Sequence, residues 1–269
     1  MDFTKIGTPV LISSKSKIYF SEGPVWDKAH NVFLFSDRDG NKLYQLALPN
    51  TVTLYKDPGN KTYSMIFDKD GSLISAEWGT RSVVRTLADG TRKVLADKYQ
   101  SKALNGPNKM IMRDDGTIYF TDPYFSPPSP VGVTFMGLYR LTPAGELVLE
   151  GQYSIPNGVG LSPDQKTLYM TLTMSNQVMS FSVAADGSTS NGKKFLSGTA
   201  TAEGIQVDAA GNIWIACQDG VYVYSPEGTK LAYIKITSGR PTSMGFGGPD
   251  GKTLMVATDN GNIYTVALP

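Results

Sequence analysis

Residues 208–228 read DAAGNIWIACQDGVYVYSPEG. The stretch opens on a Gly-Asn turn, runs through Ile-Trp-Ile-Ala-Cys, breaks at Asp219-Gly220, and returns as Val-Tyr-Val-Tyr before Pro-Glu-Gly. Apolar, β-branched and aromatic side chains suit a pleated, buried surface. An Asp-Gly pair between two such runs supplies the backbone freedom of a tight hairpin turn. Two short antiparallel strands are therefore predicted.

The same grammar recurs in five further segments, each a turn, an alternating run, a second turn and a second run. They include DKAHNVFLFSDRDGNKLYQL, DKDGSLISAEWGTRSVVRTLADG, DDGTIYFTDPYF, SPDQKTLYMTLTMSNQVMSFSVAADG and GPDGKTLMVATDNGNIYTVALP. Anchored on Phe33, Leu73, Ile118, Leu168, Ile213 and Leu254, the repeats are spaced by 40, 45, 50, 45 and 41 residues. No stretch carries a helical period. A repeat of this length built from short strands is the signature of a propeller blade. The expectation is an all-β, six-bladed β-propeller filling residues 1–269 as one domain. The last repeat has three strand-like runs after Arg240, so the N-terminal TPVLISS, around residues 9–13, is expected to supply the fourth and hide the open edges.

Composition excludes several functions. The 269-residue chain carries a formal charge of +1 without runs of like charge, which argues against a nucleic-acid face or polybasic membrane patch. Cys217 is the single cysteine, so no intrachain disulfide forms. The start, MDFTKIGTPV, lacks the order of a signal peptide, and no apolar run is long enough to span a bilayer. A soluble, cytoplasmic protein acting on a small molecule is expected, as a monomer or weak dimer.

The innermost strands should begin at EGPVWD, YSMIFD, NKMIMR, NGVGLS, EGIQVD and TSMGFG. Their first residues are Glu22, Tyr63, Asn108, Asn157, Glu203 and Thr242, and in a propeller these approach one axis. Two carboxylates and two amides would then meet from four blades. Carboxylate and amide oxygens are ligands for a hard divalent cation, and no His or Cys joins them.

SEGPVWD, LNGPNKMIMRDDGTIYFTDPYF, IPNGVGLSPDQKTLYMT, AEGIQVDAAGNIWIAC and FGGPDGKTLMVAT together resemble the SMP-30/gluconolactonase family of six-bladed propellers, across essentially the whole chain. The resemblance implies a divalent-metal-dependent lactonase or related esterase. It implies metal ligands at Glu22, Asn108, Asn157 and Glu203, where Glu203 replaces the family's Asp and doubles as the catalytic base. Calcium is the first choice of metal, with magnesium, manganese or zinc as others. The departures cluster at the site. The usual Asn-Asp pair is Asn108-Lys109, the second blade carries Tyr63 and Trp78 in place of Asn and His, and a Thr-Asn pair is Thr242-Ser243. The substrate shell, assigned to Tyr63, Trp78, Asn105, Asp122, Tyr124, Thr242 and Ser243, thus reads as more aromatic than one built for a sugar lactone, although Asp122, in an Asp-Pro pair, reads equally as a plain turn residue.

Lys109 admits three readings. Strand alternation would turn it away from the axis toward an acidic neighbour. Alternatively its ammonium sits beside Glu22 and Glu203 and supplies part of a metal's charge, weakening metal binding or replacing the metal. Or it is a catalytic amine forming a Schiff base with a carbonyl substrate. A non-catalytic, metal-free binding propeller is the rival from another class.

The remaining candidates are weaker. His30, the single histidine, falls in a turn and is expected at the surface, which leaves no Ser-His-Asp triad. Cys217 alternates with apolar residues and is expected in the core. FSPPSPVG, residues 125–132, is either a stiff lid over the tunnel mouth or an exposed loop.

Overall fold

The computed structural model describes residues 1–12, 17–125 and 130–269. It is a six-bladed β-propeller, each blade a four-stranded antiparallel sheet. The first blade runs through Ser21–Asp27, Val32–Asp37, Lys42–Ala47 and Thr51–Lys56, and the second through Thr62–Phe67, Leu73–Glu77, Ser82–Thr86 and Arg92–Ala96. The third comprises Met110–Met112, Ile118–Asp122, Gly137–Leu141 and Leu147–Gln152. The fourth comprises Pro156–Leu161, Thr167–Leu172, Gln177–Val183 and Thr189–Ser197, and the fifth Ile205–Val207, Ile213–Cys217, Gly220–Tyr224 and Lys230–Lys235.

The sixth blade closes the ring. Pro241–Gly247, Thr253–Thr258 and Ile263–Ala267 are joined by the N-terminal Val10–Ile12, which pairs antiparallel with Ile263–Ala267. The expected closure is therefore present, although Ser13 and Ser14 of TPVLISS lie outside the described residues. Ser126 to Ser129 of FSPPSPVG also lie outside them. Helical structure among the described residues is confined to two 3-10 turns, Phe3–Lys5 and Thr173–Ser175. None is long and apolar enough to cross a membrane.

The second strand of each blade explains the apolar runs that marked the repeats. Its alternating side chains face two neighbouring blades, so both faces are buried. Phe33 and Phe35 pack against Met255 and Ile263 of the sixth blade, while Val32 and Leu34 of the same strand pack against Met65 and Leu73 of the second. Trp214 and Ala216 likewise join Leu254 and Val256, and Ile213, Ile215 and Cys217 join Tyr169 and Val178. The core is thus divided into six apolar clusters, one at each blade interface. Cys217 is a packing residue, its thiol pushed up to about 12 by burial. His30 projects to solvent from its turn, with Nδ1 2.7 Å from Asp27 Oδ2.

Candidate active site

All six predicted ring residues are buried, at 0–8% exposure, at the starts of the inner strands. Each inner strand carries one extra residue here. The register slips between Glu22 and Val25, Thr62 and Ser64, Pro156 and Val159, and Pro241 and Ser243. In the third blade Asn108 N donates to Thr121 O while Thr121 N donates to Lys109 O, and Glu203 and Gly204 share Ala216 in the same way. Two residues opposing one is a bulge, which re-aims side chains and breaks strict alternation. Lys109 consequently does not turn away from the axis as alternation alone suggested.

Hydroxyls from a preceding blade fix much of the ring backbone. Ser64 Oγ donates to Asn108 O at 2.8 Å, Thr121 Oγ1 to Asn157 O at 2.7 Å, and Thr171 Oγ1 to Glu203 O at 2.6 Å. Thr242 Oγ1 donates to Ser21 O at 2.8 Å, completing the same latch between the sixth and first blades. Thr242 was expected to contact substrate, but its hydroxyl is committed to this latch and the residue is fully buried.

The residues following the ring form a second layer: Gly23, Ser64, Lys109, Gly158, Gly204 and Ser243. Five are small. A Cβ on Gly158 would lie 2.2 Å from Glu203 O, and one on Gly204 2.7 Å from Ser243 Cα, so glycine permits the neighbouring inner strands to close on one another. Below this layer an axial cavity of about 330 Å³ is lined from all six blades, ending among Trp26, Phe67, Met112 and Phe246. Lys109 alone carries a long side chain in the layer. Its Nζ forms an ion pair with Glu22 Oε2 and lies 3.4 Å from Tyr63 O. Ser243 Oγ also donates to Glu22 Oε2, at 2.8 Å, and accepts from Gly23 N.

Glu203 has a different cation. Arg240 pairs with Glu203 Oε1 and places its Nε 3.3 Å from Asp259 Oδ2. Burial raises the Glu203 pKa, with the Glu22 charge adding to it, while Arg240 and Lys109 act in the opposite sense. The two glutamates thus sense one another across the ring. Tyr63 belongs to the same field: burial pushes its hydroxyl up to about 12, and Arg38 Nη1 donates to it at 2.9 Å. Two amide oxygens complete the set. Among the described residues Asn108 Oδ1 and Asn157 Oδ1 are buried without a hydrogen-bond partner, although Asn157 Nδ2 donates to Thr173 Oγ1 at 3.1 Å.

The profile described as "SMP-30/Gluconolactonase/LRE-like region" matches residues 20–260. The chain belongs to this family. It is 30% identical over 294 aligned positions to a gluconolactonase of Zymomonas mobilis subsp. mobilis, covering 95% of this chain and 80% of that protein. A pentonolactonase of Haloferax volcanii, XacC, is 27% identical over 248 positions, covering 90% and 82%. The solved structure of a gluconolactonase from Xanthomonas campestris superimposes with a TM-score of 0.86 at 28% identity, covering 97% of this chain and 95% of that one.

Within this SMP-30/gluconolactonase chain, the donor chemistry of the ring suits a hard divalent ion. An unpartnered buried amide oxygen is costly, roughly 1–3 kcal/mol, and a cation is a partner that removes the cost. Glu22, Asn108, Asn157 and Glu203 are the residues able to provide oxygen ligands.

The rest of the predicted shell divides. Trp78 is 39% exposed and rests on the turn before Asn108, where a Cβ on Gly106 would fall 2.0 Å from its Cδ1. Tyr124 is half-buried. Asn105 Nδ2 donates to Asp122 O and Phe135 O, and its Oδ1 is buried without a partner. Asp122 follows the turn reading of its Asp-Pro pair. It is fully buried, and its two oxygens accept from Asn105 N at 2.8 Å and Gly106 N at 2.7 Å, so it shapes the turn.

Sequence reasoning missed Arg240 and Arg38. Arg240 stands two residues before the ring position Thr242 in GRPTSM, and that proximity was the available signal. Arg38 follows the second strand of its blade, and nothing local in SDRDG marks it as a partner of Tyr63.

Proposed function

We propose that this chain hydrolyses a lactone or related ester at the ring, with a divalent metal held by Glu22, Asn108, Asn157 and Glu203. The observation that carries the reading is the pair of unpartnered buried oxygens, Asn108 Oδ1 and Asn157 Oδ1, at matching positions of adjacent blades. Membership of the family and the similarity to gluconolactonases support the choice of reaction.

A bound divalent ion would supply Lewis-acid polarisation of the ester carbonyl. Glu203 accepts the proton of the attacking water; burial beside Glu22 raises its basicity, and Arg240 fixes one of its oxygens. Water adds to the carbonyl carbon, the ring C–O bond breaks, and the alkoxide leaves with a proton to give the hydroxy acid. Tyr63, tethered by Arg38, and Trp78 provide aromatic surface at the ring and its rim, which suits a substrate less polar than a sugar lactone. The Schiff-base reading loses support because Lys109 Nζ is engaged with Glu22 rather than presented as an open amine.

One observation favours a metal-free reading, either a binding propeller or a metal-independent hydrolase. Both ring carboxylates already have internal cations, Lys109 and Arg240. Proton release from glucono-1,5-lactone and from an aromatic lactone, measured with and without chelator, separates the cases. Hydrolysis that is lost in chelator and restored by calcium supports the metal-assisted reading. No turnover of any lactone overturns the hydrolase, and chelator-resistant turnover overturns the metal.

A further inference from the structure

We infer that Lys109 is a built-in competitor for the ring's metal, an internal cation that must leave Glu22 before a divalent ion can take that carboxylate. The inference rests on the metal-assisted reading above and assigns a regulating residue to the same site. Four observations carry it. Lys109 is 5% exposed and Glu22 1%, so the pair is sealed from the water that would weaken it. Every other residue of the second layer is glycine or serine, so the lysine side chain occupies space that the other five blades leave open.

The two internal cations are also unequal. Arg240 has Asp259 as a second carboxylate, so releasing Glu203 leaves it an acidic partner, whereas among the described residues Glu22 is the one carboxylate paired with Lys109. Finally, Lys109 lines the axial cavity of about 330 Å³, which gives its side chain room to withdraw without unfolding the ring. Asn108 Oδ1 and Asn157 Oδ1 stay without partners while the lysine is in place. The ammonium has three N–H donors, yet they reach Glu22 Oε2 and Tyr63 O and neither amide oxygen, whereas one divalent ion could take the carboxylate and both amide oxygens as ligands. Metal entry therefore exchanges a preformed ion pair for a ligand set, and its affinity is reduced by the strength of that pair.

Calcium titration by calorimetry tests this on chelator-stripped protein, using the unmodified chain with Lys109→Met, Lys109→Gln and Lys109→Arg. Glutamine retains a donor for Glu22, which protects against failure of the methionine variant to fold. The expected result is calcium binding at least tenfold tighter in the neutral variants than in the unmodified chain. Lys109→Arg, which keeps the charge, should bind no more tightly than the unmodified chain. Equal affinity in all four proteins overturns the inference and leaves the metal-assisted reading standing, as does Lys109→Arg binding as tightly as Lys109→Gln. Absence of calcium, magnesium and manganese binding in all four overturns both.

Discussion

Lys109 of the third blade is ion-paired with Glu22 of the first, two inner strands away around the axis. Both residues are buried, so removing either partner strands an uncompensated charge. In chelator, Lys109→Met and Glu22→Gln are each expected to cost about 3–5 kcal/mol of unfolding free energy, the usual penalty for breaking a buried pair. The double variant should fall short of the sum by more than 1 kcal/mol, as coupled neighbours do. Denaturant unfolding of the four proteins measures this, and strict additivity would show that the pair is not formed.

Asn108→Ala should separate function from stability. Asn108 Oδ1 has no partner among the described residues, so deleting it removes an unsatisfied buried acceptor. The expected stability change is within about 1 kcal/mol in either direction. Lactone turnover should nevertheless fall by roughly a hundredfold, because a missing ligand loosens reaction geometry. A stable variant with unimpaired turnover would remove Asn108 from the site.

Asp122 makes stability depend on pH in a defined direction. Burial pushes its carboxyl up to about 6, against an ordinary value of 3.8, although two backbone N–H groups and Arg81 oppose the shift. A raised folded value means the contribution is fully present below pH 3.8 and is lost as pH rises through 6. Two units correspond to roughly 3 kcal/mol. The stability advantage of the unmodified chain over Asp122→Asn should therefore be larger at pH 4.5 than at pH 7.5 in urea unfolding. A constant difference across that window contradicts the assignment.

Gly106→Ala should act through Trp78. The new Cβ would lie 2.0 Å from the indole Cδ1, and the partly exposed ring can yield by swinging outward. Emission from Trp78, isolated by comparison with Trp78→Phe, should shift to the red while melting changes by only a few degrees. If Trp78 contributes substrate contact, KM for an aromatic lactone should rise more than kcat falls. Unchanged emission would show that the indole does not rest on Gly106.

Blade count, closure by the N-terminal strand and the positions of the six ring residues were all legible in the residue order. Turn chemistry and apolar alternation act over a few residues, so Asp219-Gly220 and IWIAC announce a hairpin without help from distant parts of the chain. The buried second strands reinforced that reading, since packing on both faces favours consecutive apolar residues, as in VFLF, IYF and IWIAC.

The directions and partners of the ring side chains depended on tertiary structure. An extra residue at the start of each inner strand changes the parity of alternation, and such a bulge is set by pairing with the second strand. That is why Lys109 faces Glu22 although alternation alone would turn it outward. Tertiary packing likewise gives Glu203 a partner that the residue order did not announce. Arg240 arrives from the next blade, and Thr242 and Asp122 spend their oxygens on backbone groups brought close by closure and by a turn. Local sequence chemistry determined which residues stand around the axis, whereas the ion pairs among them were decided by long-range register, because charges find partners in space rather than along the chain.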